Sequence, residues 1–561
     1  MYPSIETPDG VKALLARAMA ARSARASAED PVLQRLARMF RPSRAHFNTT
    51  PSPGQDLYRH LYDSTPQYAA TNLAAGLFGS VMNPANKWFA LNPRGAAKGD
   101  DAAVRYMDGA TQAVAESLGP DVSGFYAEAP SFLTDLSVFG AGTFYSEFQP
   151  EKKRWLDKSI ALYGVWIEQD ADGMVRTFYC CRQMTADQIL QEYDGDQDYQ
   201  IPEFIRRAND PTAKYPVWWI ALPNGSVDKT VATRASREYH SIHVMERRDE
   251  NGKPIVLRKR SDDSLAWMAA RWERRQDSAY GDGRGHVALA DAMSLQVARK
   301  SLLEAASWAA RPPILAPEEK YFRNAEMQPA GIVYGGMNRA GRPMAQALET
   351  GQRMPFANEM SQQLGETVRE AFYFSILQLV GRSGMSATEV AEKSQEKWRL
   401  MGPAIGNLQY EKLSPFLQRR WSQMRRYDLL PSGMPESVSQ MGMPAVDFVS
   451  PMAMAQRSAD GVAAQRFVEA ALALAEFDPE AADMIDIDAT IAEFRETMGA
   501  RPNLMRAPAE VQERRELRRQ QQQQQQAVEA APALAAGMKD MAAAGAANDD
   551  SSLAGLGISA G

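Results

Sequence analysis

Several short stretches of this chain carry residue types that do chemistry in other proteins, and spacing decides what each can do here. His240-Ser241-Ile242-His243 places two imidazoles close together. The flanking residues read as a strand, where positions three apart point to opposite faces, so the two rings do not share one ion and core or surface histidines are expected. Cys180-Cys181 are the only cysteines. They belong to a strand pattern and are expected to pack, not to bind metal or cycle redox state. Asp170-Ala171-Asp172-Gly173 mimics the opening of a calcium loop, but the distal glutamate and flanking helices are missing, which leaves a hairpin turn. Gly140-Ala141-Gly142 could cradle a phosphate, yet a strand pattern follows it where a helix start is needed, so a helix-to-strand turn is expected. The run Gly281-Asp282-Gly283-Arg284-Gly285 has the wrong spacing for a dinucleotide fingerprint and no lysine for a phosphate loop. No serine or cysteine nucleophile motif and no clustered metal ligands occur. The expectation is a non-enzyme with no catalytic residue, no cofactor and no metal.

Composition bounds the rest. A chain of 561 residues exceeds one compact core, so two to four structural regions are expected. With 24% charged and 45% hydrophobic residues it has an ordinary globular composition. The net charge of -6 argues against a surface built to grip nucleic acid, although not against one that lets DNA slide past. The absence of a disulfide framework fits a reducing compartment such as the cytoplasm. Neither a signal peptide nor a membrane span is expected, because no apolar run approaches about eighteen residues.

The elements that would position any site centre on two long helices. Ala288 to about Ala310 carries Leu289, Met293, Val297, Leu302 and Leu303 among many alanines. From about 357 to 381, Met360, Leu364, Val368, Ala371, Phe372, Ser375, Ile376 and Leu379 recur at three-and-four spacing, with Glu366, Arg369 and Glu370 between them. Arg311-Pro312-Pro313 stops the first helix, and glycines at 331, 335, 336 and 341 surround a short strand at Ile332-Val333-Tyr334. On periodicity alone this is a helical hairpin with a small knob between its arms. Before it, residues 7–40 read as helical, a helix opened by Asp63-Ser64-Thr65 runs from Pro66 through Phe78 and closes at Met82-Asn83-Pro84, and 103–138 reads as two helices. Strands follow at 143–146, 160–167, 175–181, 217–222, 239–246 and 254–258. Beyond the hairpin, Ser386 and Glu389 form a capping box for a further helix, interrupted near Gly402-Pro403 and resuming to Leu430. A Met/Pro/Ser-rich connector spans 431–453, and helices are expected at 454–476 and 487–498. Residues 507–530 are helix-prone and polar, with glutamines from Gln520 to Gln526, and beyond about Ala535 the composition predicts disorder. The fold class is α+β, mainly helical.

Several ordered blocks carry a resemblance. They are Phe40-Arg41-Pro42-x-Arg44-x-x-Phe47, Asp63-Ser64-Thr65, Leu73-Ala74-Ala75-Gly76-Leu77-x-Gly79, Asn83-Pro84-x-x-x-Trp88-Phe89-x-Leu91, Tyr280-Gly281 and Ala387-Thr388-Glu389-Val390. Together they are similar to the head-to-tail connector, or portal, proteins of short-tailed bacteriophages. The usual Ser-Pro after the Tyr-Gly turn is absent here.

The resemblance implies a ring of twelve subunits at one capsid vertex of the virion, assembled in the host cytoplasm. Double-stranded DNA would enter through it during genome packaging and leave during ejection. It implies a wing at 1–287, stem helices at 288–312 and 357–381, and a clip at 313–356. A tunnel loop and wing helix would occupy 382–450, a helical crown 451–505 and a C-terminal helix 506–535 that is either a barrel element or a solvated tail, with a disordered tail at 536–561. Glu366, Glu370, Arg382, Ser383, Gly384 and Met385 would then face the channel or form its loop. Arg323, Tyr334, Arg339 and Arg342 would serve clip docking. The implied partners are the terminase packaging motor, a tail adaptor, the major capsid and scaffolding proteins, and DNA. In the clip, Lys320, Arg323, Arg339, Arg342 and Arg353 nearly balance Glu318, Glu319, Glu326 and Glu349, which suits protein docking better than DNA capture. Another structural virion protein is the alternative; a packaging ATPase is disfavoured by the missing phosphate loop.

Overall fold

The computed structural model describes residues 2–49, 52, 54–195, 199, 201–210, 212–225, 227, 234–276, 278–310, 314–315, 340, 346–347, 354–378, 399–449, 490 and 511–523. The chain divides into two compact units, Met1–Gln456 and Arg457–Gly561. In the second, the described helix 511–523 is polar and almost wholly exposed.

The first unit opens with α1 (Pro8–Ala28) and α2 (Asp30–Phe40). Thr7 caps α1 by accepting from the Gly10 amide, and Pro8 sits in the first turn, where its missing N–H costs nothing. The helical stretch read at 7–40 is therefore two helices, divided at Glu29, whose amide still donates to Arg25 O. Val11, Leu14, Leu15 and Ala18 form the buried side of α1. They lie on one face of an antiparallel five-stranded sheet in the order β4 (Val165–Gln169), β5 (Val175–Thr185), β6 (Lys214–Pro223), β7 (Tyr239–Arg248), β8 (Pro254–Asp262). Strand alternation sends Trp218 to the α1 side and Trp219 to the other, where it joins the main core.

That main core gathers α3 (Thr65–Val81), α4 (Asp101–Glu116), α5 (Phe125–Phe139) and a three-stranded sheet ordered β3 (Arg154–Ile160), β2 (Ala141–Gln149), β9 (Trp267–Arg271). β1 (Phe89–Asn92) pairs with a strand from far along the chain, Ala445–Phe448, inside the stretch read as a connector. The strand read at 160–167 is two strands, separated by a tight turn at Leu162–Gly164. The Asp170–Gly173 segment is the hairpin turn expected of it, with Gly173 at φ +74°. Between β5 and β6 lie α6 (Ala186–Tyr193) and α7 (Glu203–Arg206). Two-residue strands follow: β10 (Glu273–Arg274) with β11 (Gly281–Asp282), and β12 (Ile314–Leu315) with β13 (Gln346–Ala347).

The two histidines of the His-x-x-His stretch part company as expected. His243 is buried, stacked on Trp219 and bonded through Nδ1 to the Tyr193 hydroxyl, while His240 Nδ1 meets the Ser261 hydroxyl. Burial holds the His243 imidazole well below its ordinary pKa, so it stays neutral. Burial likewise pushes both cysteine thiols up to about 12, which makes them inert packing groups in β5.

After α8 (Arg284–Ala310), α9 (Met354–Ala371) and α10 (Phe374–Gln378), the chain returns as α11 (399–408), a π-helical turn at Gln409–Leu413, α12 (Ser414–Arg426) and α13 (Glu436–Gln440), ending at β14 (Ala445–Phe448). Ser414 N–H donates to Gln409 O, five residues back. Four charged side chains on this segment are buried. Glu411 accepts from Arg271 through Nε (3.0 Å) and the backbone amide (2.7 Å), and from Arg274 Nε (2.9 Å). Arg419 donates to Ser146 O (3.0 Å), Ser264 O and Asp262. Arg420 pairs with Asp157, which also accepts from the Ser123 hydroxyl. Lys412 Nζ has no hydrogen-bond partner and stands 4.3–4.7 Å from the ring centres of Phe125, Phe132 and Phe144, and 5.7 Å from Phe416.

Burial pulls the Lys412 ammonium down to about 7, with the Asp157 charge opposing it. An unfolded lysine titrates near about 10.4. Between these values the unfolded chain holds a proton that the folded chain lacks, so stability rises with pH across the window by up to ~1.4 kcal/mol per unit. Lys412→Met, which keeps the volume and removes the amine, is expected to stabilise the protein at pH 7, with the advantage shrinking toward pH 10. Urea unfolding of both proteins at several pH values measures it; an advantage that does not vary with pH would contradict the assignment.

Candidate functional site, a helical pair on a glycine root

Two helices dominate the site. Arg284 Nε, at the start of α8, donates to Ala371 O, at the end of α9, while β12 and β13 pair at the opposite ends of the two helices. The helices are thus antiparallel. α8 is buried through Ala288, Ala292, Leu295 and Gln296; from Val297 to Ser307 no described residue is fully buried. α9 is buried through Ser361, Gly365 and Val368, with Phe372 buried just beyond its end. The helix read over 357–381 is shorter than the periodicity suggested. It ends at Ala371, because Tyr373 takes a left-handed conformation (φ +56°), and α10 restarts at Phe374. The apolar spacing runs on through the break, which is why period alone cannot see it.

The root of α8 explains both glycine runs. Gly140 follows α5 at φ +77°, and a Cβ there would lie 2.1 Å from Gly281 O. A Cβ on Gly283 would lie 2.6 Å from both Gly140 N and Ser137 O, and one on Gly285 2.4 Å from Val138 O. The two runs meet backbone to backbone. They are two halves of one joint, where the backbone entering α8 presses on the backbone leaving α5. His286 completes it by accepting the Gly283 amide at Nδ1 (3.0 Å), and burial keeps its imidazole below the ordinary pKa despite Asp282 nearby.

Further along, α8 holds the entry to α3. Gln296 Oε1 accepts from the Tyr62 and Asp63 amides (2.7 and 2.9 Å), Gln296 Nε2 donates to Asp63 O (2.7 Å), and Arg299 Nε donates to Asp63 Oδ2 (2.8 Å). Burial alone would raise the Asp63 carboxyl, but the Thr65 hydrogen bonds and Arg299 hold it below the usual carboxylate range. Sequence reading took Asp63 as a helix start and missed Gln296 and Arg299; no local pattern links residues more than 230 positions apart.

The two helices differ in what they show outward. α9 exposes Glu359, Gln362, Gln363, Glu366, Thr367 and Glu370 on a polar and acidic face, with Asn358 and Met360 exposed at its borders. The two acids singled out, Glu366 and Glu370, share it one turn apart, and Glu370 also accepts from the Ser375 hydroxyl (2.7 Å). α8 exposes Val287 and Val297 at 61% and 66%, with Met293 between them. Arg382, Ser383, Gly384 and Met385, and the clip residues Arg323, Tyr334, Arg339 and Arg342, lie outside the described residues. Among the described residues no helix is long and apolar enough to cross a membrane, and no group of three or more His, Cys, Asp or Glu is placed to hold a metal.

Residues 11–506 match the family described as bacteriophage head to tail connecting protein. The chain belongs to this family. The connector is 26% identical over 479 residues to the portal protein of Salmonella phage epsilon15, covering 82% of each chain. It is 24% identical over 489 residues to the probable portal protein of Bordetella phage BPP-1, covering 85% of this chain and 84% of the relative. Both matches run nearly the length of the connector, so the glycine root and the helical pair fall within what is shared in length.

The root yields a test. Gly283→Ala forces a methyl group against backbone and is expected to destabilise the connector by roughly 1–3 kcal/mol or more. Gly365→Ala, at a helical position where a Cβ meets nothing within 4 Å, is expected to be neutral or stabilising by up to about 1 kcal/mol. Denaturant unfolding followed by tryptophan fluorescence compares them, and equal effects would remove the glycine joint from the account.

Proposed function

We propose that this chain is a portal subunit of a bacteriophage virion, a structural protein without enzymatic activity. Copies form a ring at the head-to-tail junction through which double-stranded DNA is packaged and ejected. The observation that carries the reading is the family match over residues 11–506. The helical pair supports it physically. A conduit for DNA must not hold phosphates, and a polar acidic face such as that of α9 repels them at long range while offering no Lys or Arg fork to grip them. An assembly must bury apolar surface somewhere, and α8 offers it on its outer side.

On this reading α8 and α9 are the stem, 313–356 the clip that docks the packaging motor and then the tail adaptor, and 382–385 a loop toward the channel. Residues 451–505 make the crown, and the polar helix within 506–535 joins its copies above it. The ring has twelve members, closed by head-to-tail contacts between identical chains. Capsid and scaffolding proteins bound in the host cytoplasm set it at a single vertex. Catalysis plays no part: the subunit works as a passive conduit while the motor supplies energy.

Negative-stain microscopy with native mass tests the assembly; rings of about twelve with an axial hole are expected, and a chain that stays monomeric even with its scaffold and coat partners would sink the proposal. Deleting 382–385 is expected to leave rings intact while impairing DNA packaging or retention, scored by DNA content of assembled particles. Loss of rings in that deletion would count against the loop. Glu366→Lys with Glu370→Lys places two cations on the α9 face and is expected to slow DNA release from particles at low salt, the effect fading as salt rises. A release rate that matches the parent at every salt concentration would take these two acids out of the channel.

A further inference from the structure

Two features of the first unit each expose three or more large apolar side chains. One is α8, with Val287, Met293 and Val297; the other is the segment 57–68, with Tyr58 at 56%, Tyr62 at 41% and Tyr68 at 60% exposed. On α8 the positions 287, 290, 294, 297 and 301 follow three-and-four spacing and are Val, Ala, Ser, Val and Ser, all exposed. Such a row is a stripe of small side chains flanked by valines, a surface that an aromatic ring can approach closely. Two of the three tyrosines have ring contacts within the same chain. Their segment is pinned by Gln296 and Arg299, Tyr62 lies over Lys300 of the same chain (5.9 Å), and Tyr68 packs against Phe374 (6.3 Å).

The two features lie on opposite sides of one helix. At about 100° per residue, the mean direction of Gln296 and Arg299, which hold the tyrosine segment, is roughly 170° from the mean direction of the small-residue row. A closed ring of many identical chains needs this arrangement: each copy presents one patch to the neighbour on its left and a different, complementary patch to the neighbour on its right. Charge agrees with shape. Arg59 stands among the tyrosines, the row is bordered by Asp291 and Glu304, and the nearby Lys300 is already engaged by Glu304 at 3.8 Å.

We propose that segment 57–68 of one copy seats on the 287–301 row of the next copy, its tyrosines packing along the row from Val287 to Ser301. This rests on the ring reading and names the surfaces that close it. Rotation about a ring axis keeps height, so Tyr62, level with Lys300 on its own helix, meets the neighbour near Ser301.

The experiment is inter-subunit cross-linking of the full chain carrying Tyr62→Cys and Ser301→Cys, treated with a short bis-maleimide after native mass and microscopy have scored assembly. The native Cys180 and Cys181 are buried and largely buried, and parent and single-variant controls report any reaction there. A ladder of cross-linked dimers and higher oligomers in the double variant, absent from each single variant, is the expected result. Rings that form without a ladder overturn the docking while leaving the ring intact, and a parent chain that never forms rings overturns both. As a second variant, Val297→Asp is expected to give a folded monomer with unchanged circular dichroism, and Val297→Asp rings as abundant as the parent's would overturn the proposal even if the cysteine variants failed to fold.

Discussion

The first unit depends on burying charge from one helical segment in the junction of two sheets. Glu411 reaches β9 through Arg271, Arg419 reaches β2 and β8 through Ser146 and Asp262, and Arg420 reaches β3 through Asp157. Moving an ion from water into a protein interior costs several kcal/mol, repaid only where geometry supplies opposite charge and hydrogen bonds together. Glu411 and Arg419 have that supply in full and Arg420 in part, through one nitrogen on Asp157 while its Nε and Nη1 are buried without a hydrogen bond, with partners 140 to more than 260 positions away. Removing one partner would leave the other ionised and dry, so the segment and the sheets fix one another. Lys412 is the exception: its surroundings are four phenylalanine rings, whose faces attract a cation but accept no hydrogen bond.

The helical pair inherits its position from that junction through a much shorter chain of contacts. Arg271, held by Glu411, ends β9; Trp272 N–H then donates to Gly140 O, and within ten residues the chain reaches the glycine joint and enters α8. The direction of α8 is thus set by backbone pressed on backbone, where side chains would add slack. A joint of this kind tolerates no Cβ, which accounts for glycines at 140, 281, 283 and 285 without any ligand.

How much of this was legible in the sequence follows from the range of the interactions. The helices α1 to α5 and the hairpin turn at Gly173 are written in local spacing and turn chemistry, and they were read nearly where they lie. The strand β14 was not, because four residues in a Met/Pro-rich stretch acquire strand character only by pairing with Phe89–Asn92. The end of α9 was missed since Phe372, Ser375 and Leu379 keep helical period across a backbone break. The first glycine run was read as a helix-to-strand turn and the second as a run of the wrong spacing, but their mutual contact could not be seen, as nothing local ties residue 140 to residue 283. Spacing alone put Glu366 and Glu370 between the apolar positions of their helix, and both are exposed there. The buried acid and bases of the π-turn and α12 look in sequence like an ordinary solvated helix, Glu-Lys followed by Arg-Arg.

The π-turn at 409–413 is what lets that charged segment continue into a helix with an apolar face. Met401, Ala404, Ile405 and Leu408 of α11 point into the core in the present register. With α12 fixed by Arg419 and Arg420, a continuous α-helix would absorb the extra residue by shifting everything upstream one position, about 1.5 Å and 100°. The inward places would then fall to Gly402, Ile405, Gly406 and Gln409. Three of the four would lose their apolar side chain or gain a polar one, at a cost of about 2–5 kcal/mol for each large aliphatic group removed. Two demands meet at this turn: charges at 411, 412, 419 and 420 must face the sheets, and aliphatic residues at 401, 405 and 408 must face the helices. A regular helix satisfies one set or the other, and one additional residue in a single turn satisfies both.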